Sequence, residues 1–523
     1  MTIDSWLAQA IDDARRRGLD ALVPLLEGLA ATRQALADAS WAPRADGRLG
    51  AAEPLPAPAP LHVATGAGPV DATATEPHLD TLTSLARRLR RGEVSAVALT
   101  ERCLEAIDTG NDRLNAFITV TADLALDAAR RADAELSAGR DRGPLQGIPI
   151  SLKDLIDVED VVTTAGSRVR ARARAARHAP IVARLADAGA VIVGKCNMHE
   201  FGFGTTNEDS GWGPARHPLD PARSPGGSSG GSAASVVAGM SVASIGSDTG
   251  GSVRIPSSIC GLVGLKPTYG ELPTSGVVPL SWTLDHVGPL ARSVEDAWTL
   301  TRAMRGDPVG MSDRLDIADP ASLRLGALAG YFTDPLDPEV RHAVGVALDR
   351  LREAGTRLDE ADVPSAADIA PIYLGIVFAE AAAYHAATLA SAPDRYTPPV
   401  RLRLELARYL PAEDYARALL GRDRLTHEVD RALEGCHALV LPTLPVAAFP
   451  LGAETVSAGR VELPVRAAML KLTQLFDLTG HPAITLPCGT TRRGFPIGLQ
   501  IVGRRGGTDR LLEVARAVEA IVR

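Results

Sequence analysis

None of the five cysteines, Cys103, Cys196, Cys260, Cys436 and Cys488, stands in a CxxC pair, and their odd number leaves at least one unpaired in any intramolecular disulfide scheme. Reduced thiols in a cytosolic compartment are therefore expected. Nowhere do about 18 consecutive residues stay apolar, so no bilayer-spanning helix and no membrane partner are expected. The start, Met1-Thr2-Ile3-Asp4-Ser5, carries no basic segment ahead of an apolar one, and Asp12, Asp13, Arg15, Arg16 and Arg17 interrupt the next stretch. A secretory leader is not readable there. Lys and Arg number 55 against 63 Asp and Glu, interspersed without a basic stripe. Such a distribution cannot neutralise a run of phosphates, which argues against nucleic acid as a partner. No G-K-[ST] follows the glycine-rich segments, and His199-Glu200 lacks the spacing of H-E-x-x-H. Neither a nucleotide, a metal nor any other cofactor is expected.

What is present is a chain of 523 residues, 46% hydrophobic and with a formal charge of -8, enough to bury a large core without staples. Leu19, Leu22, Leu25, Leu26, Leu29 and Leu36 recur at helical spacing, so residues 1–40 read as an N-terminal helical extension of two short helices. Residues 41–77 are rich in Ala, Pro and Gly and read as an extended connector. From 78 to 523, helical segments alternate with short β-like runs, the pattern of an α/β domain. Strands are expected at Ile148–Leu152, Val191–Val193, Val242–Ile245, Ala438–Leu441, Ala483–Leu486 and Ile497–Val502. Ser95 is placed to cap a helix over Ala96–Ile107. Residues 335–435 read as a mostly helical cover where substrate selectivity would reside.

Ser224-Pro225-Gly226-Gly227-Ser228-Ser229-Gly230-Gly231-Ser232 packs four glycines and four hydroxyls into nine residues, which excludes a core strand or a helix interior. The small-residue run Ala233–Gly239 comes next, so this loop opens onto a closely packed helix whose N–H groups face it. A second loop of the same character, Gly246-Ser247-Asp248-Thr249-Gly250-Gly251-Ser252-Val253-Arg254, follows the strand at 242–245. The third segment is Gly147-Ile148-Pro149-Ile150-Ser151-Leu152-Lys153-Asp154. Its alternation sends Ile148, Ile150 and Leu152 to one face and Ser151 and Lys153 to the other. A lysine at the end of an apolar strand is poised for burial, which lowers its pKa and lets a neutral amine accept a proton. Alone, any of the three has a bland reading: a flexible linker, a second turn, a surface lysine.

Together, and with Gly261-Leu262-Val263-Gly264-Leu265-Lys266-Pro267-Thr268, the three segments resemble the amidase signature family, from about residue 80 to the C-terminus. The resemblance implies a mixed twisted β-sheet covered by helices on both faces. It also implies Ser252 as nucleophile, Ser228 as a bridging serine on a cis peptide after Gly227, and Lys153 as terminal base. The N–H groups of Thr249, Gly250, Gly251 and Ser252 are suited to an oxyanion hole, because glycines let the chain approach closely. Ser229 is a supporting hydrogen-bond residue, and Asp248 and Arg254 are expected to hold the loop by a charge-assisted bond. The substrate would be a small amide or carbamate, and esters would also react.

Two other readings stay open. Gly227-Ser228-Ser229-Gly230-Gly231 fits G-x-S-x-G, which would make Ser229 the nucleophile of an α/β-hydrolase, with His427, His437 or His481 to serve it. The glutaminase subunit of a tRNA-dependent amidotransferase shares the catalytic core, although Ala379–Tyr409 does not resemble the segment associated with its glutamine recognition. Phe201, Phe203, Trp212, Trp282 and Tyr373 are candidates to line an apolar pocket, which favours neutral aryl or alkyl amides over charged ones. A homodimer is compatible with the sequence but not required by it.

Overall fold

Short runs, most of them rich in aliphatic residues, become thirteen strands among the described residues, which in the computed structural model are 3–16, 23–38 and 79–523. The strands are β1 (Phe117–Val120), β2 (Pro149–Lys153), β3 (Val191–Cys196), β4 (Ala243–Asp248), β5 (Val263–Lys266), β6 (His286–Ala291) and β7 (Arg324–Leu328). The others are β8 (Arg357–Ala361), β9 (Ala438–Pro442), β10 (Thr455–Ala458), β11 (Val461–Pro464), β12 (Ala483–Thr490) and β13 (Pro496–Val502). Eleven form one sheet in the order β1-β3-β2-β4-β6-β5-β12-β13-β9-β7-β8, and β10 and β11 form a separate hairpin. The sheet is mixed: β2 runs parallel to β3 and β4, β7 runs parallel to β8 and β9, and the centre is antiparallel.

All six expected strands are present, with ends shifted by up to four residues. Five strands of the large sheet were not expected. β6 contains Gly288-Pro289, which reads locally as a turn, and β8, Arg-Leu-Asp-Glu-Ala, is a half-exposed edge whose polarity hides it. Side-chain alternation puts a different helical layer on each face. Along β13, Gly498 and Gln500 meet the helix Arg254–Cys260, while Leu499 and Ile501 join the main core with the helix Thr508–Val522. The fold is therefore α/β with helices on both faces of a mixed sheet.

Ser95 caps the helix Ala96–Leu114 by accepting from Ala98 N at 3.0 Å, and that helix runs seven residues past the expected end. The 335–435 region divides in two. The helix Pro338–Glu353 packs on β9, β12 and β13, and β8 extends the sheet, so this stretch belongs to the central layers. Only Ile369–Ser391, Pro398–Ala407 and Ala412–Ala432 stack on one another as a cover. One 18-residue window of Ala366–Ser391 has mean hydropathy 1.5, long and apolar enough to cross a membrane by length and composition, contrary to the sequence expectation. Its apolarity has an internal use: Ile369, Ile372, Tyr373, Ile376, Val377 and Phe378 are buried in the main core.

Helices Ile3–Arg16 and Val23–Asp38 contact each other, and Leu7, Ala14, Leu26 and Leu29 cluster with Leu406 of the cover. The expected connector at 41–77, with Leu19 and Leu22, lies outside the described residues. The five cysteines are all free and buried.

Candidate active site

Strand alternation in β2 sets the first functional group. Ile148, Ile150 and Leu152 enter the main core, and Ser151 and Lys153 point to the opposite face. Ser151 Oγ lies 3.0 Å from Ser235 Oγ and Ser241 Oγ and donates to Ser244 Oγ at 2.9 Å. This buried hydroxyl cluster ties the helix Gly230–Val237 to β2 and β4. Lys153 is fully buried; its Nζ lies 2.7 Å from Ser228 Oγ and 2.8 Å from Ser247 Oγ. Burial disfavours the ammonium and pushes its pKa down to about 7, against the opposing pull of Asp248 and Asp285.

The glycine-rich segment 224–231 forms the loop that meets this lysine. A Cβ on Gly227 would come within 2.7 Å of Asn207 N, so only glycine fits, and the Gly227–Ser228 peptide is cis. Ser228 O accepts from His199 N at 3.1 Å, and Ser229 N donates to Ser252 O at 3.3 Å, which couples the two serine loops. Ser229 is completely buried and its Oγ donates to Ser247 O at 3.3 Å. No strand precedes it and no histidine bonds to it among the described residues, so the geometry offers nothing for a nucleophile elbow there. His481, for example, is spent on Asp430 at 3.0 Å.

Ser252 is 6% exposed against 1% for Ser228, and its hydroxyl bonds to no described residue. Its loop is braced from beneath by Asp248, fully buried at the end of β4. Asp248 accepts from Gly251 N (2.6 Å), Val253 N (3.1 Å) and Arg254 N (3.3 Å), and from the Arg254 guanidinium at 2.9 and 3.0 Å. Although burial opposes it, the Arg254 guanidinium holds this carboxyl well below the usual range. Arg254 continues to Thr473 O, Gln500 Oε1 and Asp477 Oδ2 at 3.0, 2.7 and 2.5 Å. Thr249 Oγ1 donates to Asp285 at 2.6 Å, and Thr473 Oγ1 donates to Gly250 O at 2.6 Å.

The bracing engages one of the four N–H groups expected to face an oxyanion. Gly251 N–H already points at Asp248, which leaves the N–H groups of Thr249, Gly250 and Ser252 without an internal acceptor among the described residues. Gly251 has φ +132° and its absent Cβ would lie 2.3 Å from Thr473 Oγ1, so the loop requires glycine twice over.

The five aromatic candidates scatter. Tyr373 is at the site: a Cβ on Gly250 would sit 2.5 Å from its Oη. Phe201 and Phe203 flank Gly202, whose Cβ position is 3.5 Å from Ser228 Oγ, but their rings pack edge-on against His385 and Phe378. Trp212 stacks under Arg168 at 4.3 Å, and Trp282 is 49% exposed. Only Tyr373 presents its polar end to the loop. Sequence reasoning did not reach Ser247, Asp285, Thr473, Asp477 or Gln500, which support the site from other strands and loops. Asp477 and Gln500 are single polar residues between apolar neighbours, Asp285 and Thr473 stand in no motif, and Ser247, although inside the second serine loop, has nothing local to mark it as a partner of Lys153.

The sequence pattern of the Amidase family matches residues 98–512. An amidase of Pseudomonas putida is 42% identical over 427 residues, covering 79% of this chain and 90% of its own length. The A-type subunit of the glutamyl-tRNA(Gln) amidotransferase of Acidobacterium capsulatum is 38% identical over 471 residues, covering 83% of this chain and 98% of its own. Among solved structures, a crystal structure of an amidase superposes with TM-score 0.80 at 36% identity, over 85% of this chain and all of its own. The chain belongs to the Amidase family and is a hydrolase of amide carbon–nitrogen bonds.

Proposed function

We propose that Ser252 attacks the substrate carbonyl and that Ser228 and Lys153 carry its proton away. The observation that supports this most is the fully buried Lys153, with a pKa near 7, 2.7 Å from Ser228 Oγ on a loop hydrogen-bonded to that of Ser252. A serine hydroxyl needs a base as it attacks. As the Ser252 Oγ–carbon bond forms, its proton passes to Ser228 Oγ while the Ser228 proton passes to neutral Lys153. The oxyanion faces the Thr249, Gly250 and Ser252 N–H groups, and such donors each lower the barrier by about 3 kcal/mol. On collapse the relay runs backward, the C–N bond breaks, and the amine leaves with the proton. Water then hydrolyses the acyl-enzyme by the same relay.

A carbamate reacts by the same attack and gives a carbamoyl-enzyme, and an ester is cleaved more readily because its alkoxide is the better leaving group. The substrate is a small molecule. Fluorophosphonate labelling followed by peptide mapping should place the adduct on Ser252; an adduct on Ser229 would remove the triad. Similarity to the amidotransferase relative supports a second reading, in which the chain supplies ammonia from glutamine within a complex. A turnover panel of anilide, primary amide, carbamate, urea and glutamine separates the two, since the second reading requires glutamine to be the best substrate.

A further inference from the structure

One cation near the reactive loop makes no ion pair with any described residue. Arg466 lies in the first turn of the helix Val465–Leu470, and Leu470, one turn on and on the same face, lies against Gly250 beside Tyr373. Arg466 thus lies on the helix that touches the oxyanion loop, one turn before the contact. Its guanidinium sits 5.4 Å above the Phe203 ring and donates weakly to Phe203 O at 3.4 Å, its one hydrogen bond among the described residues. Arg403 takes the same carbonyl at 2.6 Å.

The neighbouring carboxylates each have a partner other than Arg466 on at least one oxygen. Asp209 lies 3.2 Å from His199 Nε2 and 3.4 Å from Arg403, and Glu200 accepts from Thr397 N and Oγ1 at 2.8 and 2.6 Å. Arg466 makes no ion pair with any described residue. The titratable groups near it are therefore Arg403, Asp209, the Tyr373 hydroxyl and His199, whose pKa burial pushes down against the pull of Asp209. Burial and the like charge of Arg403 push Arg466 down to about 10, so it stays protonated at neutral pH. A half-buried guanidinium with one weak bond and no direct ion pair leaves most of its five donors for something else.

We propose that Arg466, with the Tyr373 hydroxyl, binds a carboxylate carried by the substrate a short reach from the scissile amide. The preferred substrates are then ω-carboxy amides, not the neutral amides that the aromatic content suggests. The inference rests on the Ser252 reading, because Tyr373 and Leu470 locate Arg466 relative to that loop. A carboxylate here would make charge-assisted hydrogen bonds where none exist now, and the planar guanidinium suits a bidentate pair.

The test compares ammonia release from succinamate and glutaramate with release from the neutral butyramide and valeramide, in wild type, Arg466→Met and Arg466→Lys. The expected result is a wild-type kcat/KM at least about 10-fold higher for the anionic member of a pair, the scale of one or two charge-assisted bonds. That ratio should collapse in Arg466→Met, mostly through KM, and recover in part in Arg466→Lys. A wild-type preference for the neutral amides, or an equal loss on both, would overturn the proposal. Should Arg466→Met fail to fold, protection of wild-type Ser252 from fluorophosphonate decides it: glutarate must slow labelling more than valeramide does. The labelling itself reports on the Ser252 reading separately, since an adduct on Ser252 with no glutarate protection leaves the triad standing and removes the carboxylate subsite.

Discussion

In the proposed relay Lys153 meets the sharpest demand placed on a single residue: as the base it would have to be neutral at a pH where a free lysine is charged. Burial meets that demand by holding it near pH 7, and Asp248 and Asp285 keep the shift from going further. A base that works in its neutral form gives kcat/KM that rises as pH increases through about 7 and levels off above it. A profile that falls through that range would contradict the role. Lys153→Ala should lower kcat by roughly two to four orders of magnitude at pH 7.5, the usual scale of lost general-base catalysis, with KM little changed. Near-normal turnover in that variant, measured on the best amide of the panel, removes the lysine from the mechanism.

The loop from Asp248 to Arg254 behaves as one element, built so that backbone N–H groups face outward while a carboxylate holds the chain from beneath. Asp248 was legible as a bracing residue from its place beside Arg254, but its capture of Gly251 N–H was not, since that depends on the turn's φ of +132°. Gly251→Ala brings a Cβ to 2.3 Å from Thr473 Oγ1 in a conformation that L residues avoid. The expected outcome is a loss of kcat of at least about 100-fold, the scale of one displaced oxyanion donor, with Lys153 still hydrogen-bonded to Ser228. Retained kcat would mean the loop tolerates another path and that its N–H groups are not the oxyanion donors. The helix Gly230–Val237 follows the same logic: small residues let it approach β2 and β4, where Ser235 joins the buried hydroxyl cluster.

At the scale of the whole molecule, the N-terminal helices are part of the packed body. Leu36 is fully buried in the main core, 3.2 Å from the Cβ position of Gly375, and Arg33 lies 3.5 Å from Asp414. Gly375 is two residues from Tyr373, so the helical pair backs the helix that reaches the reactive loop. Leu36→Ala should cost about 2–5 kcal/mol and lower the thermal midpoint, while Ser252 still labels with fluorophosphonate at 25 °C. An unchanged midpoint would show the pair to be energetically separate.

Two glycine- and serine-rich loops and one apolar strand were enough for the sequence to indicate the reaction class, and alternation marked six of the strands, because tight turns and alternation are local requirements written in adjacent residues. The edge strand β8, the turn-like β6 and the division of the 335–435 region depended on partners far along the chain, and short-range periodicity carries no record of them. The same holds for the site. Ser252, Ser228 and Lys153 stand in motifs, whereas Thr473, Asp477, Gln500 and Arg466 acquire meaning only when β12, β13 and the helix after β11 bring them beside β4. The aromatic residues show the difference most plainly: composition made five of them equal candidates, and packing committed Phe201 and Phe203 to the core and left Tyr373 at the loop. Burial, and with it the choice between a neutral lysine and a charged arginine, is a property of the assembled sheet and its cover, which is why only the tertiary structure decided it.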